Sequence, residues 1–337
     1  MKTNYRANLY AVNDLRYENA PMPTCEADEV LVEVRCCGVC GSDLPRVYTK
    51  GTYHFPTVIG HEFAGKVVSD PKGDLWGKKV AIFPLLPCFE CASCKAQSYA
   101  TCENYDYYGS RRDGGMSEYI AVKRWNILTM PDGLSYGEGA MCEPVSVGRH
   151  AVMKLDVKKG DKLLISGAGP IGIIAGQWAK SLGAEKVYYF DIDSRKIDFA
   201  KNMGFDEYTD GDEITCVIEG TGHSEAIRRC LKAVKPAGRV VLMGNPAGEV
   251  NMTQETYWYI LRKELRLLGT WNSAYNDTQN DWQESLCAMA EGKINVKPLI
   301  THRYDLAQCN EAFEMMKERK EFYNKVMLVM NGGDNDD

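Results

Sequence analysis

No stretch of this 337-residue chain approaches the ~18 consecutive apolar residues of a membrane-spanning helix. The opening residues, MKTNYRANLYAVND, hold no apolar segment of signal-peptide length. Positive charge is in short supply: 40 Lys and Arg against 46 Asp and Glu leave a net charge of −6. That balance argues against a nucleic-acid or anionic-membrane partner, both of which reward a basic face. Histidine is scarce as well, with five in all, so few imidazoles are available as ligands. Of these, His54, His150, His223 and His302 read as structural. These absences point to a soluble, cytoplasmic protein, and the length suits two ordinary domains.

Cysteine, by contrast, is plentiful, thirteen in number. Four of them, Cys88, Cys91, Cys94 and Cys102, fall in PCFECASCKAQSYATCEN with the spacing C-x2-C-x2-C-x7-C. A ferredoxin-type run closes with a three-residue gap and a proline, and here neither is present. Disulfides compete only in an oxidising compartment. The spacing therefore predicts four thiolates around a structural zinc, a closed site that stabilises a lobe and does no chemistry.

A second donor set is spread over CCGVCGSDLPR (36–46), VIGHEF (58–63) and MCEPVSVG (141–148). Cys40, His61 and a glutamate are the mix of a catalytic zinc, in which few protein ligands leave a coordination position open. Glu62 and Glu143 compete for the carboxylate role. Taken singly, each residue has a plain alternative: a buried cysteine, a surface His-Glu pair, a Glu-Pro that starts a helix.

The second half reads as a dinucleotide fold. In KLLISGAGPIGIIAGQWAKSLGAEKVYYFDID (162–193), Gly167, Gly169 and Gly172 fit G-x-G-x-x-G between an apolar strand and a helix. Asp191 ends the following strand nineteen residues beyond Gly172, where an acid bonds the adenosine ribose and repels a 2′-phosphate, so NAD is favoured. Lys196 is placed to reach the same ribose, or to be a solvated charge. Strand and helix signals continue through CVIEG, SEAIRRCLKAV, GRVVLMG and ELRLLGTW. Only five residues separate DEYTD (206–210) from CVIEG, too few for a crossover with its helix, so one covering helix should be missing.

These pieces, in this order, resemble the polyol dehydrogenase branch of the zinc-dependent medium-chain dehydrogenase/reductase family. The motifs CGSDLPR, GHEF, PLLPCFECASC, YDYYGSRRDGG, CEPVSVGRHA, GAGPIG, ILRKELRLLGTW and PLITHRYDLAQCNEAF carry the resemblance across residues 30 to 320. It implies an α/β chain with a GroES-like β-rich catalytic domain (1–145 and 289–337) interrupted by a Rossmann-type doubly wound parallel sheet (146–288). A helix near 136–157 would join them, and the active site would lie in the cleft between the two.

Carried over residue by residue, Cys40, His61 and Glu143 would hold the catalytic zinc, with Glu62 alternating. Cys88, Cys91, Cys94 and Cys102 would hold the structural one. Ser42 would take the substrate's proton; the stretch Leu44, Pro45, Arg46 lacks the histidine that continues a relay in many relatives. Gly167, Gly169, Ile171, Gly172, Asp191, Lys196, Gly244 and Asn272 would bind NAD. The implied reaction is oxidation of a secondary alcohol of a polyol phosphate to a ketose phosphate. Arg46, Arg111 and Arg112 are candidates for the phosphate, since guanidinium groups bind it bidentately. Dehydrogenation of an unphosphorylated polyol of the sorbitol type is the alternative, with threonine dehydrogenase a further relative. A homodimer or homotetramer paired through ELRLLGTW is expected.

Overall fold

The computed structural model describes residues 3–333. It divides into two compact units: one runs from the N-terminus to Glu143 and resumes at Ala274, the other is Pro144–Ser273.

The first unit is built on a seven-stranded sheet. Its centre is the long strand Glu29–Val39, whose residues are mostly buried, as expected where both faces are covered. Glu62–Ser69 pairs with it antiparallel, and Lys79–Ile82 and Ile127–Thr129 continue the sheet outward. On the other side Lys325–Val329 pairs antiparallel with Glu29–Val39, then parallel with Ile300–Asp305. The C-terminal segment therefore completes the N-terminal sheet, with the helix Cys309–Glu318 (Phe313 and Met316 buried) in the same core.

A short cysteine-bearing lobe projects from this unit between Leu85 and Tyr107. Aromatic rings fasten it: Trp125 lies 5.1 Å from Phe89, 5.5 Å from Tyr99, 5.0 Å from Tyr275 and 5.6 Å from Phe83, ring centre to ring centre.

The second unit is a six-stranded, all-parallel sheet of β1 (Lys162–Ser166), β2 (Lys186–Phe190), β3 (Asp206–Glu207), β4 (Ile214–Glu219), β5 (Val234–Leu242) and β6 (Arg266–Gly269). Its order, β3-β2-β1-β4-β5-β6, is that of the Rossmann fold. The chain turns from β1 into the helix Pro170–Ser181 through Gly167, at φ +96°. At Gly172 a Cβ would stand 2.1 Å from the Gly167 carbonyl oxygen, so only glycine lets this helix sit so close to the strand.

As the short gap predicted, no helix joins β3 to β4. Tyr188, Phe190 and Tyr208 belong to one buried cluster of this unit, and the Arg229 guanidinium lies over Phe190 (4.4 Å) and Tyr208 (5.4 Å).

Two details differ from the sequence expectation. The helix near 136–157 is two helices, Tyr136–Ala140 and Cys142–Leu155, divided at Met141. The second domain crossing falls at 273/274 rather than 289. Tyr275 and Trp282 both pack on Phe83 (4.5 and 5.2 Å), which draws the helix Asp281–Ala290 into the first unit.

Candidate catalytic metal centre and dinucleotide site

Cys40 follows the end of the central strand Glu29–Val39, and His61 immediately precedes the strand Glu62–Ser69. Strand pairing brings them together, and donor atoms of Cys40, His61 and Glu62 lie within 4.8 Å of one another. His61 and Glu62 are buried. A thiol, an imidazole and a carboxylate in one group, with Cys40 half-buried, match the donor set of a zinc site with an open position.

The surroundings orient these donors. Asp43, fully buried, accepts the Cys40 N–H at 3.0 Å and faces His61 Nδ1 at 3.5 Å. At that length the His61 contact is electrostatic rather than a hydrogen bond. Burial alone would raise the Asp43 carboxyl, but His61, Arg46 and the Cys40 amide pull it down to about 2. Burial favours a neutral His61, yet Asp43 and Cys40 outweigh it and push the ring's pKa well up. Ser42 donates to Cys40 Sγ at 3.3 Å and accepts from Arg46 Nη1 at 3.0 Å; the same nitrogen reaches Asp43 Oδ1 at 2.6 Å.

The two candidate carboxylates part company. Glu62 lies with Cys40 and His61, whereas Glu143 accepts a 3.4 Å hydrogen bond from the Tyr107 hydroxyl outside that group. Burial pushes the Glu143 carboxyl up to about 7, with His61 pulling it down and Glu62 pushing it up.

Glu62 itself is paired with Lys325, whose Nζ donates to Oε1 at 2.7 Å in a setting where both residues are buried. Three adjacent strands make this pair. Gly38 stands opposite Glu62 in the register, and Lys325 begins the strand on the other side of Glu29–Val39. A Cβ at Gly38 would meet Glu62 Oε2 at 2.3 Å, so the carboxylate crosses the central strand over a glycine. In protein stripped of metal, Lys325→Met leaves this carboxylate buried and unpaired and is expected to cost about 3–5 kcal/mol in denaturant unfolding; a loss below about 1 kcal/mol would refute the pairing.

The four clustered cysteines converge as predicted. Cys88 and Cys94 sulfurs are 3.8 Å apart and those of Cys91 and Cys102 4.0 Å apart. Tetrahedral bonds of about 2.3 Å give sulfur–sulfur edges of about 3.8 Å, so the set fits one zinc. Amide groups serve the sulfurs: Cys88 N–H donates to Cys102 Sγ at 3.3 Å, and those of Glu103 and Cys94 hold the Cys91 thiol down to about 6.

In the second unit the predicted residues gather at the carboxyl ends of the parallel strands, where ligands bind in such sheets. Gly167 and Gly169 follow β1, with Ile171 and Gly172 in the first turn of the helix. Asp191 follows β2, Gly244 follows β5, and Asn272 follows β6 in the left-handed region (φ +56°). Asp191 accepts the N–H groups of Ala168 (2.9 Å) and Asp193 (3.0 Å), tying it to the glycine turn. Beside Gly169 the backbone is open; the nearest atom to a built Cβ is Lys196 Nζ at 4.0 Å.

Residues 26–132 match the model of the alcohol dehydrogenase GroES-like domain, and residues 170–291 that of the zinc-binding dehydrogenases. Galactitol 1-phosphate 5-dehydrogenase of Escherichia coli (strain K12) is 34% identical over 321 residues, covering 90% of this chain and 92% of the relative. The chain belongs to the zinc-dependent medium-chain dehydrogenase/reductase family. Sorbitol dehydrogenase of Bombyx mori is also 34% identical, over 346 residues, covering 94% of this chain and 96% of that one. The crystal structure of galactitol-1-phosphate dehydrogenase from Escherichia coli superposes with a TM-score of 0.89 at 32% identity, covering 96% and 99% of the two chains. As a dehydrogenase of this family the chain is an oxidoreductase with zinc and NAD(H) as cofactors, and its relatives include polyol dehydrogenases.

For such an enzyme, three residues bear on the site that the sequence reading passed over. Asp43 lay inside CGSDLPR and signalled nothing by itself. Tyr107 lay inside YDYYGSRRDGG without a role of its own; it touches Glu143 and packs 5.7 Å from His61. Lys325 carried one faint signal, a charge opening the apolar strand KVMLV.

Proposed function

We propose that the chain oxidises a secondary alcohol of a polyol phosphate to a ketose phosphate, with NAD as acceptor, in the cytoplasm. The grouping of Cys40, His61 and Glu62 carries this reading, in a chain that also holds a complete dinucleotide fingerprint. The finer choice of substrate draws on the similarity to galactitol 1-phosphate 5-dehydrogenase. When bound, zinc supplies Lewis acidity to an alcohol oxygen and NAD accepts a hydride.

The chain's own residues do the rest. Cys40, His61 and Glu62 hold the catalytic metal, with Lys325 balancing Glu62 and Glu143 as the neighbouring carboxylate. Asp43 fixes the His61 ring, a role outer carboxylates commonly play toward metal-binding imidazoles. Ser42 takes the alcohol proton at Oγ. Arg46, its hydrogen-bond partner, has no basic lone pair, so the proton passes on to water. Gly167, Gly169, Ile171 and Gly172 receive the pyrophosphate, Asp191 and Lys196 the adenosine ribose, Gly244 and Asn272 the nicotinamide half. Cys88, Cys91, Cys94 and Cys102 hold a second, structural zinc.

NADH formation from galactitol 1-phosphate, galactitol and sorbitol at equal concentration tests the substrate. Strong preference for the phosphorylated sugar is expected. Equal turnover of the free polyols would move the chain to the second reading, an unphosphorylated-polyol dehydrogenase, which the equally identical sorbitol dehydrogenase favours.

A homo-oligomer paired through β6 belongs to the same proposal. β6 is the edge of its sheet, with Leu268, Trp271 and, on the helix Gln254–Arg262, Tyr257 and Leu261 exposed. An unpaired apolar edge is a template for another strand. Leu268→Asp should shift the sedimenting species from oligomer to monomer; a wild-type chain that sediments as a monomer overturns this part.

A further inference from the structure

The structure separates the three arginines from which a phosphate site was expected. Arg46 is committed to Asp43 and Ser42, close against the metal donors. Arg112 faces Asp106 at 3.6 Å and lies over the Tyr108 ring. Arg111 forms no ion pair with a carboxylate among the described residues. Asp113, the acid nearest in sequence, instead accepts the Val58 N–H at 2.9 Å and faces Arg6 at 3.9 Å.

The Arg111 guanidinium carbon lies 4.1 Å from the centre of the Tyr53 ring and 4.3 Å from that of Tyr105. Nη2 donates to the Tyr53 hydroxyl at 3.3 Å, while Nε, shielded from water, has no hydrogen-bond partner. Rings stacked on a guanidinium occupy its faces and leave its N–H edge for an anion. A shielded donor without an acceptor is a cost that a ligand oxygen removes. Tyr53 is 70% exposed, and its hydroxyl, the acceptor of Nη2, is a neutral partner that a phosphate oxygen can replace.

The backbone ties this cation to the metal donors. Arg111 N–H donates to the Tyr107 carbonyl at 3.0 Å, and a His54 ring nitrogen lies 3.0 Å from the Arg111 carbonyl. Tyr107, at the start of the same turn, packs on His61 and bonds Glu143. Tyr105 joins the two ends, its ring 6.2 Å from that of Tyr107. One short segment thus carries a ring against the metal donors at one place and an unpaired cation at another.

We propose that Arg111, alone of the three arginines, recognises the phosphate of an open-chain polyol monophosphate and sets the preference for it over the free polyol. This rests on the polyol-phosphate reading above. The phosphate dianion takes the guanidinium edge in the bidentate manner that lysine does not offer. The alcohol to be oxidised then lies toward Cys40 and His61.

The test uses zinc-loaded wild type, Arg111→Met, Arg111→Lys and Arg112→Met, with galactitol 1-phosphate and galactitol as substrates. Calorimetric binding of galactitol 1-phosphate and zinc content are measured beside turnover. Arg111→Met should raise KM and Kd for the phosphorylated sugar by about 100-fold, with kcat/KM for galactitol and zinc content nearly unchanged. Arg111→Lys should fall between, and Arg112→Met should match wild type. If Arg111→Met keeps the preference, or Arg112→Met loses it, the assignment to Arg111 fails while the polyol-phosphate reading stands. Equal loss on both substrates together with loss of zinc would make Arg111 a structural residue and overturn the inference. Wild type that does not prefer the phosphorylated sugar removes the reading and this inference with it.

Discussion

Cys40→Ser is expected to lower turnover by about a thousandfold or more, and to reduce bound zinc from two ions per chain to one, without changing NAD binding. Cys40 supplies the one soft donor of its group, and the local structure is organised around that sulfur. Ser42 directs its hydroxyl at Sγ from 3.3 Å and its N–H from 3.5 Å, so two donors aim at this one sulfur. A serine hydroxyl in its place stays protonated and is a hard, weak ligand, so His61 and Glu62 are left to hold the ion alone. The effect should not spread to the dinucleotide. Its glycine turn and Asp191 belong to the other compact unit and are held by hydrogen bonds within that unit. Metal analysis, NADH formation and titration of NAD by fluorescence together decide the matter. Turnover retained in the serine variant would remove Cys40 from the site.

The Rossmann unit was legible because its signals are local. An apolar strand, a glycine turn and a helix lie within twenty residues of one another, and even the missing crossover helix follows from counting residues. The metal donors were legible for the same reason where they sit in short motifs. What the sequence did not reveal lies across strands. Gly38, Glu62 and Lys325 come from three segments, and only the sheet register places the ammonium beside the carboxylate. Nothing near Glu62 in sequence announces a cation 263 positions away. The choice between Glu62 and Glu143 is of this kind too, since it turns on Lys325 and Tyr107, which belong to other elements.

The boundary at 273/274 shows the converse limit. The regular alternation of strand and helix suggests that the helix Asp281–Ala290 continues the Rossmann pattern. Periodicity reports that a helix has an apolar face, not which sheet that face will cover. Trp282, fully shielded, spends its ring on Phe83 of the first unit, and Cys142 Sγ donates to its carbonyl. An aromatic contact of this size outweighs the pattern, because a buried tryptophan contributes more than the ordering of a few linker residues costs.

Cys102→Ser is expected to release the other zinc and to unfold the lobe around residues 88–102 while the Cys40 site keeps its ion. Beyond the rings packed on Trp125, the lobe has only the single helical turns Ala92–Lys95 and Tyr99–Thr101, and many of its residues are exposed. Zinc held by four thiolates contributes on the order of 10–16 kcal/mol of binding free energy in small metal-folded domains, far more than two such turns supply. Loss of the metal should appear as protease cleavage within 88–102 and as a red shift of tryptophan emission. The shift follows from Trp125, which is packed against Phe89 and Tyr99 of the lobe. How far the damage travels depends on Gln97. Its carbonyl accepts from Asn276 at 3.0 Å and its amide donates to Asp277 at 2.8 Å, so the lobe also clasps the segment on which the chain returns to the first unit. Rapid cleavage near 276 in the variant would show that the zinc lobe holds that return segment in place. Cleavage confined to 88–102 would assign the return segment to Tyr275 and Trp282 alone. A variant that resists protease at both places and still carries two zinc ions would show that these four cysteines do not hold a metal.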